Sequence, residues 1–298
     1  MKWEGQRQSE NVEDRRGEGD GARPGMPGLR LGGRGIGVGT IVIALLAGWI
    51  FGINPLTVLG LLSGGGGAEM AQTAPQAPAQ RPPAADKQAM FVSTILADTE
   101  DVWTKVLEAS GSRYEAPHLV LFRGRTPTAC GSGDAAMGPF YCPGDRKVYI
   151  DLQFFETLRA RLGAPGDFAQ AYVVAHEVGH HLQQLMGVSA KVDGMRGRIS
   201  EAQSKALSVR VELQADCFAG VWAYHSQKGK NWLEQGDLEE AMNAAAKIGD
   251  DALQRQSQGT VVPESFTHGS SEQRTRWFQR GLQGGQVAQC NTFEARTL

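Results

Sequence analysis

The residues best suited to chemistry in this chain lie in Ala175-His176-Glu177-Val178-Gly179-His180-His181. On an α-helix, His176 and His180 fall one turn apart on one face. Both imidazoles can then reach a single metal ion, and Glu177 projects near enough to act on a water at that ion. Two histidines and a carboxylate base at this spacing form the arrangement of a zinc hydrolase. A catalytic zinc site takes three protein ligands and keeps one position open. The third should come from a later element, and Glu212 in Glu212-Leu213-Gln214-Ala215-Asp216 is the best candidate. It follows His180 by 32 residues, enough for a second helix to fold back. The apolar face of Leu213, Ala215, Phe218 and Ala219 beside it argues against a plain solvated carboxylate. Asp216 lies one turn on from Glu212 and shares its face. It is placed to accept a hydrogen bond from the ring N–H of a ligating imidazole. His181 projects about 100° around the helix from His180 and is not expected to be a co-ligand. His118 and His225, at the ends of elements, are read as having no role.

The motif helix should run from Phe168 to about Met186, with Asp167 as N-cap, Gln170 completing a capping box and Gly187 as the stop. A second helix, from Ser200 to about His225, carries Glu212. Lys191–Gly197 reads as a polar connector between them. Asp237 opens a helix over Leu238–Gln256. Ser270 and Gln273 resemble a capping box for a short helix ending at Gly281. Upstream, Asp86–Ser110 reads as a helix with Met90, Phe91, Ile95, Val102, Val106 and Leu107 on its buried stripe and Gly111 at its end. His118–Phe122 reads as a strand. Gly138–Pro143 and Lys147–Leu152 flank a Pro-Gly-Asp turn and suggest a hairpin. Gln153–Leu162 reads as a short helix stopped by Gly163. Phe140 and Tyr141 in the hairpin are candidates for a strand that pairs with an extended substrate backbone.

The remaining organisation concerns the N-terminal third. Residues 1–35 are rich in Gly, Arg and Glu and poor in large apolar side chains, so they are expected to form a disordered tail. Ile36–Ile53 is an uncharged apolar run, extended past Asn54-Pro55 by Leu56–Leu62. Residues 36–62 are therefore expected to be one transmembrane anchor. Arg16, Arg23, Arg30 and Arg34 precede it closely, which puts the N-terminus in the cytoplasm and residues 86–298 outside, on the periplasmic side of the inner membrane in a Gram-negative cell. Residues 63–85, rich in Gly, Ala, Gln and Pro, form a flexible linker. The chain carries 30 Lys+Arg against 32 Asp+Glu. This balance gives no electrostatic case for nucleic acid as a partner.

The sequence resembles the bacterial neutral zinc metallopeptidase family of the YpfJ type. The carrying segments are Gly138-Pro139-Phe140-Tyr141-Cys142-Pro143, Ala171 through His181, and Glu212-Leu213-Gln214-Ala215-Asp216-Cys217. His-Glu-x-x-His followed by Glu-x-x-Ala-Asp is also similar to the membrane metallopeptidase clan that includes the CAAX prenyl endopeptidases. The resemblance implies a zincin-type fold and peptidase activity, without implying substrates. It further implies that His268 hydrogen-bonds the developing oxyanion and that Arg274, six positions on, holds the site together. Gly269 stands where that clan usually has proline.

Four cysteines, Cys130, Cys142, Cys217 and Cys290, include no C-x-x-C pair, which disfavours a zinc knuckle. An even count in a domain outside the membrane suggests disulfides. Proximity favours Cys130–Cys142, leaving Cys217–Cys290, with buried free thiols as the rival reading. The expectation is an α+β, mainly helical zincin-like domain with a small sheet, following one transmembrane helix. It is expected to bind one Zn²⁺ through His176, His180 and Glu212, with Glu177 as general base, and to act on a peptide or protein at the surface of a lipid bilayer. The rivals are a hydrolase of cell-wall peptide, although no wall-binding segment is recognisable, and a tethered scaffold without turnover.

Overall fold

The computed structural model describes residues 1–18 and 80–298. Four strands form one sheet in the order β1-β2-β6-β5: β1 Val12–Asp14, β2 His118–Phe122, β5 Phe140–Cys142 and β6 Lys147–Asp151. β2 and β6 run parallel, with Leu119 opposite Val148 and Leu121 opposite Ile150. Four of the five β2 residues are buried, as a central strand covered on both faces requires. β5 returns antiparallel along β6, with Phe140 opposite Tyr149, so the expected hairpin forms. Among the described residues β5 is an edge strand, and its outer side carries no neighbour in the sheet. β3 Arg125–Thr128 and β4 Gly131–Asp134 make a separate two-stranded ribbon.

The expectation of a disordered tail over residues 1–35 does not hold for residues 1–18. β1 pairs parallel with β2, Val12 opposite Leu119. Trp3 packs edge-on against Phe91, and the Ser9 amide donates to the Ser93 carbonyl at 3.0 Å. Composition reflects only the apolar surface a segment can bury. The segment is instead held largely by backbone pairing and ion pairs. Arg7 reaches Glu100 and Asp101, Glu13 takes Arg15 and Lys147, and Arg16 bridges Asp14 and Asp86 at 2.6 Å each. Asp14 also bridges Gln80. The apolar residues 36–62 and most of the 63–85 linker lie outside the described residues. Among the described residues no helix is long and apolar enough to cross a membrane.

The helices are α1 Lys87–Ala109, α2 Gln153–Ala160, α3 Asp167–Leu185, α4 Val188–Arg196, α5 Glu201–Lys230, α6 Asp237–Lys247, α7 Asp250–Gln258 and α8 Ser271–Gly284. α1 is capped by Asp86, whose side chain accepts from the Ala89 amide. Ser200 and Ser270 each make a full capping box, with Gln203 and Gln273. Three expectations need correction. Asp167 is the first residue of α3, not its cap. Glu240 of α6 accepts from the Phe168 amide at 3.2 Å, so the cap comes from a distant element. Residues expected as a connector form α4. The single helix expected over Leu238–Gln256 is two, divided at Ile248-Gly249. There the backbone passes so close to Ser271 that a Cβ on Gly249 would lie 2.5 Å from the Ser271 amide nitrogen.

The core lies where α1, α3, α5 and α8 meet the sheet, around Trp103, Phe168, Trp222, Trp277 and Phe278. α5 and α8 approach backbone to backbone. A Cβ on Gly220 would overlap the Phe278 carbonyl, and one on Gly281 the Cys217 carbonyl. Disulfides join Cys130–Cys142 and Cys217–Cys290, the pairing that sequence proximity favours. The second fastens the C-terminal segment to α5.

Candidate metal centre

α3 and α5 cross where Gly179 faces Ala215. A Cβ on Gly179 would lie 3.0 Å from the Ala215 Cα and carbonyl oxygen. The glycine inside the His-Glu-x-x-His motif therefore lets the two helices close. Their facing turns carry the histidines and Glu212. His176 Nε2 lies 3.2 Å from Glu212 Oε2, and His180 Nε2 lies 3.6 Å from Glu212 Oε1. One ligand atom from each of the three residues falls within 4.8 Å of the others. A tetrahedral ion bound at about 2.0–2.1 Å needs its ligand atoms roughly 3.3 Å apart, so the separations suit zinc. The imidazole planes of His176 and His180 are perpendicular, 4.8 Å between centroids.

The far nitrogens of both rings are engaged, which leaves each Nε2 lone pair for the common centre. His176 Nδ1 lies 2.8 Å from Asp216 Oδ1. His180 Nδ1 lies 2.9 Å from Gln183 Oε1. Gln183 is itself fixed by donating to the Val211 carbonyl at 2.7 Å and to Gln214 Oε1 at 3.1 Å. Asp216, fully buried, also accepts from the Tyr172 hydroxyl and from Arg274, Nε to Oδ2 and Nη2 to Oδ1, each at 2.9 Å. Arg274 Nη2 further donates to the Tyr172 hydroxyl at 3.2 Å. Burial opposes ionisation of Asp216, yet Arg274 and His176 outweigh it and hold the carboxyl at about 2. Glu212 is likewise held well below its ordinary range, with burial opposed by His180 and His176.

Glu177 differs from these carboxylates. It is buried, and burial pushes its pKa up. Among the described residues its Oε2 has no hydrogen-bond partner. A buried carboxylate oxygen left without a donor needs an explanation, and a water at the centre would supply one. The donor set and this unpaired oxygen together fit a single zinc ion.

These residues open on a cleft of about 1110 Å³, which also meets Phe140, Tyr141, His268 and Arg274. Phe140 stacks on Tyr149 at 4.9 Å between centroids. The Tyr141 hydroxyl lies 3.0 Å from His181 Nδ1, while His181 Nε2 lies 2.6 Å from the Glu115 carbonyl oxygen. A carbonyl only accepts, so Nε2 carries the proton and Nδ1 accepts from Tyr141. His181 is thus no ligand, as expected, but it docks β5 onto the motif helix. His268 lies on the loop before α8, its Nδ1 3.2 Å from Asp250 Oδ1. The disulfide Cys130–Cys142 ends on β5. His118 lies 3.3 Å from Glu13, and His225 Nε2 lies 2.8 Å from the Gly285 carbonyl, both away from the cleft.

Sequence reasoning did not find Gln183, Tyr172, Asp250 or the use of His181. Tyr172 and Gln183 do carry a local signal: they stand one turn before His176 and three residues after His180, on the ligand face. Asp250 carries none, because its partners come from the distant loop.

Comparison with known proteins agrees with this geometry. Residues 1–293 match the family described as "Putative neutral zinc metallopeptidase". The chain is 51% identical over 294 residues to "Uncharacterized protein YpfJ" of Escherichia coli strain K12, covering 98% of this chain and 99% of that protein. It is 42% identical over 208 residues to "Uncharacterized protein Mb2605" of Mycobacterium bovis, covering 66% of this chain and 68% of that protein. No solved structure matches. On its match over nearly the whole length, and with the motif residues gathered at one centre, the chain belongs to the neutral zinc metallopeptidase family.

Proposed function

We propose that this chain is a zinc-dependent peptidase that cleaves peptide bonds in the cleft beside β5. The observation that carries this reading is the convergence of His176, His180 and Glu212 beside the unpartnered buried Oε2 of Glu177. His176, His180 and Glu212 would hold one zinc ion, which lowers the pKa of a bound water and polarises a carbonyl. Glu177 takes the proton from the attacking water and passes it to the leaving amine. Its raised pKa suits a group that must both accept and return a proton. Asp216, oriented by Arg274 and Tyr172, keeps His176 in the tautomer that offers Nε2, and Gln183 does the same for His180. The free edge of β5 can pair with an extended substrate backbone, with Phe140 and Tyr141 lining that side of the cleft. His268 donates to the carbonyl oxygen as it gains charge.

The two disulfides support an oxidising compartment for the domain. Because residues 1–18 are paired into the same sheet as residues 80–298, we place both on the same side of any bilayer that the apolar residues 36–62 meet. This reading replaces a single crossing with the N-terminus on the opposite side.

The purified full chain should hydrolyse unfolded casein in the presence of zinc. Glu177→Gln should retain one zinc per chain and lose hydrolysis. Full hydrolysis by that variant ends the mechanism, and stoichiometric zinc in Glu212→Ala removes Glu212 from the ligand set.

A further inference from the structure

The loop that carries His268 is held by two consecutive carboxylates at the start of α7. Asp250 Oδ2 accepts three successive backbone amides, from Thr267 at 2.7 Å, His268 at 2.7 Å and Gly269 at 3.0 Å. The Asp250 amide in turn donates to the Gly269 carbonyl at 2.9 Å. Asp251 Oδ1 takes the Ser271 amide at 2.7 Å. Gly269 has φ +90°, and both that conformation and its N–H are unavailable to proline. The residue after His268 is therefore fitted to the carboxylate.

The second oxygen of Asp250 faces the side chain. Oδ1 lies 3.2 Å from His268 Nδ1, and Thr267 Oγ1 lies 3.1 Å from the same nitrogen. An ionised carboxylate only accepts, so Nδ1 carries a proton and Nε2 is left for the cleft. The ring is half exposed, whereas Asp250 is buried against the loop. We propose that Asp250 is a positioning residue of this site: it fixes the Thr267–Gly269 loop and holds the Nδ1 proton of His268, so that Nε2–H points at the substrate carbonyl as a charged donor. The role of His268 rests on the peptidase reading above; its geometry with Asp250 does not. The environment agrees. The Asp250 hydrogen bond raises the His268 imidazole above its ordinary range despite burial, Glu212 adds to this, and Arg274 opposes it.

The test is Asp250→Asn in the zinc-loaded full chain. The amide oxygen of Asn can keep the three N–H donors, which turns its NH₂ towards Nδ1. His268 must then accept at Nδ1 and become neutral. Spectra of ¹⁵N-histidine-labelled protein should show Nδ1 protonated in the parent and unprotonated in the variant. With casein as the probe, kcat should fall about tenfold, the difference between a charged and a neutral donor, with KM unchanged. Adding His268→Ala should then cost no more than His268→Ala alone. Asp251→Asn, whose carboxylate meets Ser271 and Arg255 and not His268, should leave both readouts unchanged. The proposal is overturned by an unprotonated Nδ1 in the parent, which is decisive even if Asp250→Asn fails to fold. It is also overturned by an unchanged tautomer in Asp250→Asn, by additive losses in the double variant, or by the same kcat loss in Asp251→Asn. Absence of casein hydrolysis by the parent would sink the peptidase reading and leave the ¹⁵N result to decide the pairing.

Discussion

Asp216→Asn separates the two jobs assigned to that carboxylate. Asp216 is fully buried and is the counter-charge of Arg274, itself 2% exposed. Four donors from three side chains converge on its two oxygens: the Tyr172 hydroxyl, His176 Nδ1 and two nitrogens of Arg274. Asn keeps the shape, removes the charge and aims an NH₂ at donors. Removing one partner of a buried ion pair costs about 3–5 kcal/mol. For a domain of this size that lowers Tm by roughly 6–20 °C. His176 also loses its charged acceptor, so zinc affinity should fall roughly 10- to 100-fold. Tyr172→Phe deletes a neutral hydroxyl bonded to two charged groups, leaves the ion pair in place, and should cost less, about 1.5–3 kcal/mol. Urea unfolding of metal-free protein reads the stability, and competition with a chromogenic chelator reads zinc affinity. Unchanged affinity in Asp216→Asn, or equal destabilisation by both variants, would refute the assignment of Asp216 as both counter-ion and histidine anchor.

Three other perturbations follow from the same structure. Gly179→Ala puts a methyl 3.0 Å from Ala215 backbone atoms. It should cost about 1–3 kcal/mol and weaken zinc binding by spreading α3 from α5, read by melting and by chelator competition. Cys217→Ser with Cys290→Ser opens a loop of 73 residues and should cost up to about 4 kcal/mol, read by urea unfolding of both forms under oxidising conditions. Asp14 and Asp86 are both held below their ordinary value of 3.8. Burial opposes this, and Arg16 together with the Arg16 amide for Asp14, and the Ala89 amide with Arg16 for Asp86, outweigh it. Depressed carboxylates stabilise the fold above their unfolded pKa and lose that contribution as pH falls through the folded value. The urea midpoint should therefore drop as pH falls below about 4, and drop less in Arg16→Met, which already lacks the pairing. Equal drops in both proteins would show that Arg16 does not tie the N-terminal segment down.

His176, Glu177, His180, Glu212 and Asp216 were legible because helices make spacing into geometry. Residues four apart share a face, and a capped amphipathic pattern says where the helix runs. The same local physics located β2, the β5–β6 hairpin, and the capping box at Ser270. It also showed an apolar face beside Glu212 before any partner helix was known. Composition misled over residues 1–18, because the ion pairs of Glu13, Arg15 and Arg16 exist only once β2, β6 and α1 are in place. It also missed the break at Gly249, which answers to Ser271, a residue distant in the chain. Asp250 and the Glu240 cap on α3 were invisible for the same reason: their partners are 17 or more positions away. The sequence alone determined which side chains could hold a metal and on which helices. The tertiary structure decided that Gly179 and Ala215 bring those helices together, that Arg274 and Tyr172 converge on Asp216, and that Glu177 is left with an unpaired buried oxygen. A hydrogen bond between distant elements depends on the close approach of both, and no local periodicity records that approach.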